Sequence, residues 1–189
     1  MIVAACLGVA LCLVPLTGGH LSRLVEFPLR HTWLMFVGFA IQLLAISILP
    51  TMNDAMAETL HLASYAIAAM FFGLNLHTKW LWLVGAGGAM NLAAIVANGG
   101  IMPASRWATK AAGITIQSGE FANSKALDDP NLPIFGDIFA IPANWPLSNV
   151  FSIGDVVLVI GAYVVLRVAC SPPSSAAIDT TDSPGSRLA

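Results

Sequence analysis

The chain has 189 residues, enough for one ordinary domain and cramped for two. Hydrophobic residues make up 57% of it and charged residues only 10%, where a soluble domain carries roughly 25% charged, so a water-exposed surface could not be covered. Eight Lys and Arg against ten Asp and Glu leave a net charge of −2, which excludes a basic face for nucleic acid, and the apolar excess excludes a disordered chain. With a mean hydropathy of +0.80, this is the composition of an integral membrane protein.

A helix needs about 20 mostly apolar residues to cross the hydrocarbon core. Five runs approach that length, and they predict an all-α membrane bundle with spans at about 1–17, 32–49, 54–76, 80–97 and 153–169. The first run lacks the basic start and small-residue cleavage site of a signal peptide, so it reads as a span. Between the first two spans, Leu21 to Phe27 alternates apolar and charged residues and reads as a segment lying on the inner surface. Pro50 closes the second span, and Thr51 to Asp54 reads as a cap for the third. Residues 98–152 form one long outer loop, so that 1–170 is the membrane domain. The Ser-, Pro-, Asp- and Thr-rich tail 171–189 is expected to be disordered in the cytoplasm.

Orientation follows from the basic residues. Arg23, Arg30, Lys79, Arg167 and Arg187 all fall on one side, while the other has only Arg106, Lys110 and Lys125, in the long loop. Short loops weigh most in the positive-inside rule, which predicts a multi-pass cell-membrane protein with its N-terminus outside and its C-terminus cytoplasmic. Trp33, Trp80 and Trp82 begin spans entered from the cytoplasm, as an aromatic belt would place them.

The long loop carries five prolines, at 103, 130, 133, 142 and 146, yet Ile134 to Pro142 and Trp145 are too apolar for a solvated linker. It is expected to fold back on the outer membrane surface or over the bundle, with a short interfacial helix over Ser105 to Ala112.

Polar side chains at membrane depth are costly unless paired or hydrated, which singles out Gln42, Ser47, His61, Ser64, Tyr65, Asn75, Asn91, Asn98 and Asp155. On the fourth span Gly87, Asn91, Ala94 and Asn98 make one helical stripe. Gly85, Ala89, Ala93 and Ala97 make an adjoining row of small residues, which predicts a close helix neighbour there and overpacking by Gly88→Leu. Gly154 and Gly161, seven apart, mark a second packing face. Each polar residue keeps a structural alternative beside a functional one. Ser152 and Asp155 fit a capping box; His61 can sit at the interface, Asn91 can bridge two helices, and Asn98-Gly99-Gly100 can be a helix C-cap. Cys6, Cys12 and Cys170 form no disulfide framework or metal motif, and nothing calls for a cofactor.

Two resemblances follow from these residues. Asn91-Leu through Ala97-Asn-Gly-Gly-Ile-Met-Pro103, then Phe135-Gly-Asp-Ile-Phe, then Phe151-Ser-Ile-Gly-Asp155-Val-Val resemble a set of uncharacterised bacterial integral membrane proteins, known as a domain of unknown function. The likeness covers about 1–168 and implies a polytopic bacterial membrane protein without an established activity. The same region is similar to the second half of the bacterial lipoprotein signal peptidases. That likeness implies that spans two to five match the four spans of that family and that Asp155 falls at its second catalytic Asp. The first is missing, since Ala93 and Ala94 follow Asn91-Leu92. An aspartic hydrolase needs two carboxylates sharing one proton, and Asp137 is the candidate substitute.

The reading drawn from the sequence is a non-catalytic membrane protein that binds lipid or a membrane-protein partner. Its site is expected in an outward-facing polar groove under the 98–152 loop, lined by His61, Asn91, Asn98 and Asp155. The alternative is a membrane-embedded hydrolase of aspartic-peptidase-like architecture centred on Asp155, with Asp137 or His61 as its partner. Five spans without an internal repeat speak against a transporter.

Overall fold

The computed structural model describes residues 2–47, 54–114 and 124–171. The end of the second apolar run, the cap expected at Thr51 to Asn53, and the tail from 172 onward lie outside them. Five long helices fall on the five apolar runs: α1 (Ile2–Leu16), α2 (Trp33–Ser47), α3 (Asp54–Leu74), α4 (Leu81–Ala97) and, after the short α5 (Arg106–Ala111), α6 (Ile153–Cys170). Among the described residues α6 alone is long and apolar enough to cross a membrane. The apolar stretches Ala5–Leu16, Trp33–Leu44, Thr59–Leu74 and Leu81–Ala97 are shorter. Leu13, Phe36, Phe39, Met70, Trp82, Val96 and Ile160 lie exposed, so the outward faces of all five helices are apolar.

The helices pack as two antiparallel pairs, α2 on α3 and α4 on α6, with α1 against α6. The α4–α6 contact depends on missing side chains. A Cβ on Gly87 would lie 2.5 Å from Leu158 N, one on Gly154 would lie 2.0 Å from Asn91 Oδ1, and one on Gly161 would lie 2.7 Å from Val84 N. Backbones that approach this closely gain dispersion contact. The adjoining row therefore does something other than expected. A Cβ on Gly85 would lie 3.5 Å from the Phe72 ring of α3, an ordinary contact, and one on Gly88 would meet nothing within 4 Å. Small residues made room for a helix on one face of α4 and left open space on the next.

One end of the bundle is tied by backbone and side-chain clasps. His20 N donates to Cys170 O at 2.9 Å, and Arg23 Nη1 donates to Ser171 O at 2.8 Å. The fully buried Asn75 holds Arg30 both ways: its Oδ1 accepts from Arg30 N at 2.7 Å, and its Nδ2 donates to Arg30 O at 2.9 Å. Residues 21–26 there form a 3₁₀ helix.

At the other end the described parts of the long connection, 98–114 and 124–152, carry short strands and a helix. β1 (Met102–Pro103) pairs in parallel with β2 (Ser124–Lys125), and β3 (Phe139–Ile141) pairs antiparallel with β4 (Asn149–Phe151). α5 is capped by Ser105, whose hydroxyl accepts from Ala108 N. A bridge between Ala104 and Asp137 joins the two halves, and a Cβ on Gly136 would lie 2.3 Å from Pro103 O, so this join needs glycine.

Candidate functional site

The join between α4 and α6 carries a closed polar ring. Ser152 caps α6 by accepting from Asp155 N at 3.0 Å, and Asp155 Oδ2 returns the bond by accepting from Ser152 N at 3.0 Å. This is the capping box that the Ser-Ile-Gly-Asp spacing predicts. Asn91 enters it from α4: its Nδ2 donates to Asp155 Oδ1 at 2.8 Å, and its Oδ1 accepts from Ser152 Oγ at 2.7 Å. Gly154 makes this possible, since any side chain there would occupy the place of the Asn91 amide. Asp155 is thus a helix cap and a cross-helix anchor together, and Asn91 bridges two helices.

Asp137 comes from the loop onto the same layer. Only 5% of it is exposed; its backbone N donates to Pro103 O, its carbonyl accepts from Ser105 N, and its carboxylate accepts from Ser124 Oγ. Burial pushes its pKa from the ordinary 3.8 up to about 6, the Ser124 hydroxyl works against that rise, and the charge of Asp155 adds to it. The two carboxylates therefore lie within electrostatic reach of each other. Tyr65 on α3 lies within electrostatic reach of both, and it packs against the cluster of Ala94, Ile95 and Met102, as Phe135 does.

One turn along α3, His61 is 3% exposed and stands edge-on to Tyr65, ring centroids 5.3 Å apart. Its Nδ1 lies 3.0 Å from Gln42 Oε1. Gln42 Nε2 donates to Ser64 Oγ at 2.8 Å, and Ser64 Oγ donates to His61 O at 2.6 Å. His61 Nε2 is buried with no partner. Asn98 is engaged elsewhere. Its Nδ2 donates to Ala94 O and to Asn131 O, while its Oδ1 accepts from Asn131 N, so it pins the loop to the end of α4.

An apolar groove lies between α3 and α4. It has a volume of about 480 Å³ and runs from Leu76 and Trp82 past Phe72, Gly85 and Gly88 to Tyr65 and Leu92, with Leu158 of α6 at its back. The sequence named its small residues but not its openness, because a row of Gly and Ala looks the same whether a helix or a void faces it. The asparagine–serine–aspartate ring had a partial signal in its capping box; the Ser124 and Asn131 contacts had none. Among the described residues no group of three or more His, Cys, Asp or Glu is arranged to hold a metal.

No curated protein and no solved structure matches the chain. A family match covers residues 26–167, which spans α2, α3, α4, the folded loop and nearly all of α6. The chain belongs to that family, a family of unknown function designated DUF5317.

Proposed function

We propose that this protein is a multi-pass cell-membrane protein of five spans whose α3/α4 groove holds one lipid chain. The single observation behind this is the groove itself: about 480 Å³, open along one side, and lined almost wholly by carbon. A void of that kind fits an alkyl chain better than a soluble metabolite, which would need converging polar groups. In this reading 1–170 is the membrane domain, 171–189 is its cytoplasmic tail, and α1–α4 and α6 cross the bilayer, some assisted by flanking residues or local thinning. Their apolar outer faces and the gathering of Arg23, Arg30 and Arg167 at one end support it.

Gly88→Leu tests the groove. With open space at that position, the variant should melt within about 1 kcal/mol of the parent, Leu being also the better helix former. It should also lose co-purifying lipid in native mass spectrometry. A large drop in stability would mean that a helix packs there and the groove is closed. Topology has its own test in a background with the three cysteines replaced. A membrane-impermeant maleimide added to intact cells should label Asn144→Cys and leave His77→Cys untouched. Labelling of both would end the five-span arrangement.

A second reading, a membrane-embedded aspartic hydrolase centred on Asp155, draws on the electrostatic reach between Asp137 and Asp155. It needs a water held between the two carboxylates, one as base and the other as acid. Its forecast differs: Asp137→Asn and Asp155→Asn would each abolish complementation of a deletion strain, whereas lipid holding by the groove tolerates either one.

A further inference from the structure

We infer that the chain held in the α3/α4 groove belongs to an amphiphile whose head carries an amine, the ammonium sitting at Tyr65 beside Asp137 and Asp155. This rests on the groove reading above and adds the chemistry of its outer end. Leu92, which lines the groove, follows Asn91 in the chain, and Leu158 lies three residues, one helical turn, beyond Asp155. Neither carboxylate lines the groove, but the groove ends at Tyr65, which lies within electrostatic reach of both. From Leu76 to Tyr65 the axis covers about 16 Å at 1.5 Å per residue, length for one alkyl chain with its head at this end.

Apart from the Tyr65 hydroxyl, which can donate or accept, the groups gathered near that head are two carboxylates and an imidazole nitrogen. The only ion pair among the described residues is Arg106 with Asp128, both exposed, so neither Asp137 nor Asp155 is neutralised by a Lys or Arg there. The hydrogen-bond chain on α3 also fixes the histidine tautomer. Ser64 spends its hydroxyl proton on His61 O and so accepts from Gln42 Nε2. That turns Gln42 Oε1 toward His61 Nδ1, which must carry the proton. The buried, unpartnered Nε2 is then a bare acceptor on the ring that stands edge-on to Tyr65. A buried acceptor without a donor is costly, and two unpaired carboxylates repel an anionic head. A phosphate would find one hydroxyl donor against two repelling carboxylates, whereas an ammonium brings three donors and the missing charge.

The test uses the full chain in phosphatidylcholine vesicles with two photoactivatable probes of equal chain length, an alkylamine and an alkyl phosphate. Crosslinks in α3 and α4 are normalised to those on Phe36 and Phe39 of α2, which face outward. The amine should label the groove about tenfold more than the phosphate, a conservative value for one charge near two carboxylates. The double variant Asp137→Asn/Asp155→Asn should bring that ratio to about one. Equal labelling of the groove by both probes in the parent protein would overturn the amine and leave the groove standing. No labelling above the α2 level by either probe would remove the groove reading itself. The parent ratio decides even where the double variant does not fold.

Discussion

Gly154→Ala is expected to destabilise the fold by at least about 3 kcal/mol, from overpacking and a broken buried bond together. The added methyl would sit 2.0 Å from Asn91 Oδ1 and 2.8 Å from Gly87 O. The amide can escape only by leaving Ser152 Oγ and Asp155, the two partners that tie α4 to the start of α6. Relaxation the other way means separating α4 from α6 along the most extensive helix contact among the described residues. Gly87→Ala should behave similarly, since its methyl would press on Gly154 O at 2.6 Å and on Leu158 N. The control is Gly88→Ala, one residue away with nothing within 4 Å, which should be neutral or gain up to about 1 kcal/mol from helix propensity. Thermal melts of the three variants in one detergent give the answer. If Gly154→Ala melts like the parent, the close α4–α6 approach is wrong and the polar ring with it.

That contrast between neighbouring glycines also marks how far the sequence could be read. The five helices were legible because apolar runs of helical length, ended by Gly, Pro or polar residues, leave few alternatives. The α6 capping box was legible because it is local, four residues in a row. Gly154 and Gly161 were legible as a packing face by their spacing of seven, and Gly87 and Asn91 by their place on one stripe. The row at Gly85 was misread, since small residues mark both a close helix and a space no helix fills. The long loop was least legible. Met102 pairs with Ser124 and Ala104 bridges to Asp137, contacts between residues far apart in the chain that no local pattern encodes. Asp137 was nameable as an acidic residue in an apolar stretch, but its partner Ser124 was not.

Asp137→Asn is expected to stabilise the protein at neutral pH, and the gain should fade in acid. A buried carboxyl whose pKa is raised from 3.8 to about 6 holds a proton in the folded chain that the unfolded chain has already released. Stability contributed by that proton is present below pH 3.8, is lost as pH rises toward about 6, and stays lost above it. At 1.36 kcal/mol per pKa unit the loss at pH 7.5 is about 3 kcal/mol. Asparagine cannot ionise, keeps an oxygen for the Ser124 hydroxyl, and leaves the backbone bonds of residue 137 to Pro103 and Ser105 as they are. The variant should therefore exceed the parent by about 3 kcal/mol at pH 7.5 and by only about 1 kcal/mol at pH 4.5. Denaturation of both proteins at the two pH values measures it. A gain equal at both would mean that residue 137 does not titrate in this range, and a loss at both would make the carboxylate a structural anchor. That cost falls on a carboxylate within electrostatic reach of Asp155 and Tyr65.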